Sequence, residues 1–391
     1  MIVNEARFFA LFVLTALAFF LVPVRWRHAV LIGSGAVFYA WYAPPVLPLV
    51  LALVVLTRVA SGRLGVWLNV LALVALMAYL KVQSNHDGLP GILTPEAASR
   101  SLVFPLGLSF LSFELIHVAV ERGRGNITKI SLASLAAFAL YFPCRVAGPI
   151  KRFQPFETSL REARWSAEQL YRGSVRILWG FFKKAVLADV IGLVVPELHW
   201  ATSPLQVWKA MVAYSFYIFL DFSAYSDVAI GMSWILGLRV PENFRWPYLS
   251  RNIREFWSRW HMSLSSWLGD YLFLPIGRRL ALAPWRLAPW MAGVIAYLVT
   301  FTICGLWHGP TLNFLLWGLF HGGLLSLYVI YLKLREALPK PAVLHTGCSS
   351  AVGRILSPAL TFLMVTMGWM LFAVQLPKAR GLWAILWRVR G

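Results

Sequence analysis

The stretch LNFLLWGLFHGGLLSLYVIYL, residues 312–332, runs for 21 positions without a charged side chain. A run of that length crosses about 30 Å of hydrocarbon as a helix. In lipid only an internally bonded backbone satisfies its own peptide groups, and the run does not alternate, so a strand is excluded. The pattern recurs in FFALFVLTALAFFLV (8–22), VWLNVLALVALMAYL (66–80) and AGVIAYLVTFTICGLW (292–307). The chain therefore reads as an all-α polytopic membrane protein with about ten transmembrane or re-entrant helices. Its charge content fits, at 13% against about 25% in soluble chains. The first run is long for a signal sequence and is followed by VPVRWRH rather than a cleavage pattern. It is expected to stay as the first helix.

Lys and Arg number 36 against 16 acidic residues. A nucleic-acid partner would need a soluble basic domain, and no such domain is visible. The excess reads instead as basic loops lying against anionic membrane lipids. Arg25, Arg27 and His28 follow the first helix. Arg58 and Arg63 lie between the third and fourth, and Arg122, Arg124 and Lys129 follow the fifth. The loops at 43–45 and 82–96 hold no Lys or Arg, so the N-terminus is expected outside and the basic loops in the cytoplasm. Cys144, Cys304 and Cys348 have no metal or redox spacing and read as small buried hydrophobes.

One membrane domain, 1–391, is the economical reading. Within it, 1–82 holds the N-terminal helices, 101–335 the polar core, and 356–391 a last helix and short tail. Residues 83–100 read as an outer loop, and 157–176 as a cytoplasmic surface helix. Two more hydrophobic helices are expected at about 177–195 and 205–237. Residues 101–156 mix apolar runs with Pro, Gly, Arg and Lys. Such broken backbone is tolerated at membrane depth only when buried in protein or lining a cavity.

REFWSRWHMSLSSWLGDYLFLPIG (254–277) concentrates the polar chemistry. Asn252 three residues before Glu255 is a capping spacing, and Glu255 and Arg259 are an i,i+4 ion pair. A helix continuing from there puts Trp257, His261, Leu264 and Leu268 on one stripe, with Ser265 four residues after His261. Trp257, Trp260 and Trp267 suit an interfacial helix. His261 alone reads either as a satisfied packing histidine or as a functional group. His308 ends an apolar helix at a Gly309-Pro310 break, with Thr311 placed to cap the next helix. An ionisable group beside a helix break in a membrane marks a substrate pathway. His321 follows one turn after Trp317 and reads as a hydrogen-bonded packing histidine. Asn313 opens the same helix. Tyr214, Tyr217, Asp221 and Tyr225 make a 3-4-4 stripe facing the bundle interior. Asp221 is open between holding helices together and orienting a catalytic group. The sequence holds no GxSxG elbow, HEXXH, P-loop or nucleotide-binding glycine fingerprint, and no metal is expected.

The block FLDFSAYSDVAIGMSWILGLRVPENFRWPYLSRNIREFWSRWHMSLSSWLGDYLFLPIG, with GLWHG, LWGLFHG and the upstream YFPCRVAGPIKRF, resembles the membrane-bound O-acyltransferase (MBOAT) family. The order of these blocks carries the resemblance over nearly the whole chain. It is most similar to the alginate O-acetyltransferase branch and more distantly to D-alanyl transfer proteins of teichoic acid. The resemblance implies a ring of helices around a central tunnel. It implies that His308 is the essential histidine and His261 the second member of a polar pair. It also implies a cytoplasmic acyl thioester donor, acetyl-CoA as co-substrate, no bound cofactor, and an extracytoplasmic polysaccharide or acyl-accepting partner protein. This chain stops soon after Val374, whereas alginate-type members continue for further helices.

The expected function is therefore an O-acyltransferase of the bacterial cytoplasmic (inner) membrane, moving an acetyl group to a hydroxyl of an envelope polysaccharide. Trp257, Trp260, Ser265, Asp221, Tyr225, Asn313 and His321 are expected to support or line its site. The same chemistry on peptidoglycan, teichoic acid, a lipid or a small molecule is the alternative. A transporter is expected to show two related halves, and none is visible. Cys304, four residues before His308, reads as a small packing residue, with an acyl-carrying thiol as the rival.

Overall fold

The computed structural model describes residues 5–86, 107–282, 284–337 and 351–387. Every regular element among these residues is helical. Among the described residues four helices are both long and apolar enough to cross a membrane: Gly62–Gln83, Pro289–His308, Leu312–Glu336 and Gly353–Ala373. Ala6–Leu21 and Val46–Val59 are apolar but shorter. The outer loop read at 83–100 falls from residue 87 onward outside the described residues, as does Cys348.

The chain divides into two compact units. The first comprises Met1–Val186 and Asp221–Glu242. It opens with the four closely spaced helices read from 1–82, over Ala6–Leu21, Arg27–Tyr42, Val46–Val59 and Gly62–His86. The irregular stretch that follows is indeed broken. It holds Leu108–Gly123, Leu132–Leu140, a 3-10 turn at Phe142–Cys144, and then non-helical backbone. The expected single surface helix over 157–176 is two helices, Phe153–Glu162 and Ala167–Phe182. Ser166 starts the second, its hydroxyl accepting from the Gln169 amide. This helix packs closely on the second half of the long helix Pro204–Ile235. A Cβ at Gly173 would lie 2.6 Å from the Gly231 carbonyl, so only glycine permits the approach.

The second unit comprises Leu187–Leu220 and Asn243–Gly391. Its centre is an antiparallel pair, Pro289–His308 and Leu312–Ala337. Gly305 and Gly318 let these helices touch. A Cβ at Gly305 would sit 2.1 Å from the Phe314 carbonyl, and one at Gly318 would sit 2.2 Å from the Phe301 carbonyl. Ala351–Ala373 packs on Leu312–Ala337, and Leu376–Leu386 follows.

Candidate active site

The 254–277 segment does not form the continuous amphipathic helix its spacing suggests. Asn252 caps a helix as expected, its side chain accepting from the Glu255 amide at 2.9 Å. Glu255 pairs with Arg259 at 2.5 Å. That helix ends after Ile253–Trp257, and a new one begins at Met262–Leu268. The cause lies in the Asn243–Arg245 backbone. The Arg245 amide donates to the Arg259 carbonyl at 3.0 Å, and the Met262 amide donates to the Asn243 carbonyl at 2.8 Å. These bonds replace helix bonds, and His261 turns left-handed at φ 43° as the N-cap of the second helix. A non-glycine residue in that region is strained and is commonly found at functional sites.

His261 is 3% exposed. It lies outside the four candidate spans, and burial pushes its imidazole down to about 3, so it is neutral at working pH. Ser265 donates to the Trp260 carbonyl at 3.1 Å. Trp260 stacks against Phe256 and meets Trp369 at 4.9 Å.

His308 ends its helix where Gly309-Pro310 interrupts the backbone, as the sequence indicates. The next helix starts at Leu312, and the Leu315 amide donates to the Thr311 carbonyl. His308 is part-buried. Its ring meets Trp307 at 4.5 Å, Phe372 at 5.0 Å and Trp317 at 5.1 Å. Asn313 does not line this wall. Its amide donates to the Leu371 and Val374 carbonyls at 3.2 and 2.6 Å, and its oxygen accepts from the Leu376 amide at 2.8 Å. It ties the end of Ala351–Ala373 to the His308 turn.

His321 is fully buried. The sequence reading made it a hydrogen-bonded packing residue, yet neither ring nitrogen has a partner among the described residues. Its surroundings explain this. Trp317, Trp257 and Phe320 pack at 4.9, 5.2 and 5.3 Å, and a Cβ at Gly368 would lie 2.6 Å from its Nε2. The rings offer no acceptor, and the Trp257 and Trp317 indole N–H groups are not bonded to it. Trp317 therefore touches His308 on one side and His321 on the other, and Trp257 joins the 254–268 segment to the same wall at 5.8 Å.

Asp221 and Tyr225 belong to the first unit, while Tyr214 and Tyr217 belong to the second. Asp221 is half-buried and pairs with Lys184 at 2.9 Å, so it is not the carboxylate buried among tyrosines that the stripe suggested. Tyr225 is buried, donating to the Pro143 carbonyl at 2.8 Å and accepting from the Val146 amide at 3.1 Å. The buried carboxylate of that helix is Asp227, held by Lys183 at 2.6 Å and Arg176 at 3.0 Å. The sequence reading also missed a cluster in which Arg145 and Lys151 both pair with Glu114, all three fully buried. An acidic residue inside the apolar stretch SFELIHV was the available signal.

Helices long and apolar enough to span a bilayer define an integral-membrane protein, and in it His308 stands at a helix break against Trp307, Trp317 and Phe372. A model of MBOAT, the membrane-bound O-acyltransferase family, matches residues 59–360. The chain is 31% identical over 379 residues to the probable alginate O-acetylase AlgI of Azotobacter vinelandii, covering 91% of this chain and 72% of that protein. It is 31% identical over 290 residues to the teichoic acid D-alanyltransferase of Bacillus subtilis, covering 71% of each. It is 26% identical over 411 residues to the peptidoglycan O-acetyltransferase of Helicobacter pylori, covering 91% of this chain and 72% of that protein. The chain belongs to the membrane-bound O-acyltransferase family and is a membrane acyltransferase.

Proposed function

We propose that the chain moves an acetyl group from cytoplasmic acetyl-CoA to a hydroxyl of an envelope polysaccharide outside the bacterial inner membrane. In this reading the whole chain works as one catalytic domain, with about ten spanning or re-entrant segments ringed around a tunnel and the N-terminus outside. The observation that carries the reading is His308, an ionisable side chain at a helix break, walled by Trp307, Trp317 and Phe372. The acceptor named for two of the relatives is a polysaccharide or peptidoglycan, and both reactions transfer acetyl to oxygen.

His308 takes the proton of the acceptor hydroxyl as its oxygen attacks the thioester carbonyl. The carbon–sulfur bond then breaks, and the imidazolium returns the proton to the departing thiolate. General-base help of this kind is typically worth about 10²–10⁴-fold. The aromatic wall keeps water away from the thioester. His261, neutral and buried, orients a reacting group as a hydrogen-bond partner. Trp257, Trp260 and Ser265 shape the chamber, and His321 supports its wall through Trp317.

The test is expression in a bacterial host lacking its own envelope O-acetyltransferases. Alkali-labile acetate is then measured on the isolated polysaccharide, peptidoglycan and lipid fractions. Acetate on the polysaccharide, absent from an empty-vector strain, supports the reading. Acetate confined to peptidoglycan or lipid replaces the acceptor, and none in any fraction refutes the reading.

A further inference from the structure

The second unit holds a groove of about 390 Å³ on the flank of the Pro289–His308 and Leu312–Ala337 pair, beside the 254–273 segment. Its walls are mainly apolar, formed by Trp257, Met262, Phe273, Tyr297, Phe301 and Leu325. Arg254 stands at one end, exposed, with its guanidinium 5.6 Å from the Tyr328 ring. Arg254 has no carboxylate partner among the described residues, and no carboxylate lines the groove.

The depth of this groove follows from helix geometry. Tyr328 lies five residues before Lys333, where the spanning helix turns charged, so Arg254 sits near the headgroup level. Phe301 packs against Gly318 and Gly322, about eight residues further along the same helix. At 1.5 Å per residue the groove runs about 12 Å from the level of Tyr328 toward the membrane centre. On Pro289–His308 the groove takes Tyr297, Thr300 and Phe301, while the opposite face of the same span exposes Ile295, Val299 and Ile303.

A cation with no carboxylate partner among the described residues, above an apolar slot that descends along a span, matches one amphiphile: a lipid with an anionic headgroup and an acyl chain. We propose that this groove is a site for an anionic phospholipid, its phosphate on Arg254 and one acyl chain lying along Phe301 and Leu325. It rests on the membrane setting of the chain and not on the identity of the acceptor. The lipid chain packs against Trp257, which joins the aromatic wall carrying His321 and Trp317. Bound lipid thus braces the outer side of that wall.

The experiment uses the full chain, purified in detergent, stripped of lipid, and followed by native mass spectrometry. It is titrated with dioleoylphosphatidylglycerol and, separately, dioleoylphosphatidylcholine. The wild type is expected to hold one phosphatidylglycerol about fivefold more tightly than phosphatidylcholine, the effect of one basic group at a membrane surface. Arg254→Gln is expected to abolish the preference, and Ser266→Trp, which fills the exposed edge of the groove, to lower the affinity for both lipids. An excess of coenzyme A is expected to leave phosphatidylglycerol bound. An unchanged preference in Arg254→Gln, unchanged binding in Ser266→Trp, or displacement by coenzyme A each overturns the proposal, the last making the groove a donor site.

Discussion

Adding one methyl group at Gly305 is expected to disable the enzyme without unfolding it. An ideal Cβ at this position lies 2.1 Å from the Phe314 carbonyl oxygen and 3.1 Å from the Gly318 Cα, whereas ordinary contact begins at 3.4 Å. The obstacle is backbone, which cannot rotate aside, so the two helices must separate by roughly 1 Å. Overpacking of this kind costs about 1–3 kcal/mol, which a membrane bundle survives. His308 is three residues further along the same helix, and Trp317 stands on the opposing one. A shift of about 1 Å at a reacting group costs about 10²-fold in rate. Gly305→Ala is therefore expected to insert normally, to lose a few degrees of thermal stability in detergent, and to transfer acetyl at least about 100-fold more slowly. Gly293→Ala, on the same helix with open space around its Cβ, is the matched control and is expected to behave as wild type. Acetyl transfer is followed in membrane vesicles with labelled acetyl-CoA. Wild-type transfer by Gly305→Ala refutes the claim that the close helix contact positions His308.

Three further outcomes follow from the geometry. His261→Asn is expected to keep part of the activity, because an amide still hydrogen-bonds where a neutral imidazole did; in a transfer assay, complete loss argues against an orienting role. Cys304→Ala is expected to keep substantial activity, with no acyl label on the denatured wild type; a hydroxylamine-labile adduct at Cys304 replaces direct transfer with a two-step route. Asn313→Leu removes three hydrogen bonds, to Leu371, Val374 and Leu376, across the turn between the Ala351–Ala373 and Leu376–Leu386 helices. At about 1 kcal/mol each it is expected to destabilise the protein by about 3 kcal/mol, read as faster proteolysis near Leu376 and a lower melting temperature; unchanged values show the tether to be dispensable.

What the sequence revealed was local. The Asn252 cap and the His308 stop depend on neighbours within three residues, so the spacing alone disclosed them. The break between Trp257 and Met262 depends on Asn243 and Arg245, whose backbone captures bonds the helix would otherwise make. Helical periodicity has no access to such a competitor. The tyrosine spacing points to Asp221 and carries no signal for Asp227. The deciding factor was the facing helix, where Arg176 and Lys183 reach Asp227 while Lys184 reaches Asp221. His321 was placed correctly beside Trp317 but given hydrogen bonds that neither ring nitrogen makes among the described residues. The family resemblance, carried by ordered blocks, supplied the site as an expectation before any contact was visible.

The central claim is that His308 is the proton acceptor in acyl transfer. The direct measurement is the transfer rate from labelled acetyl-CoA to acceptor in vesicles bearing His308→Gln, matched to wild type for membrane abundance and melting temperature. Glutamine keeps the size and polarity of the side chain but cannot take a proton at neutral pH. The account expects a fall of about 10²–10⁴-fold at unchanged abundance and melting temperature. A His308→Gln rate within a few-fold of wild type contradicts it.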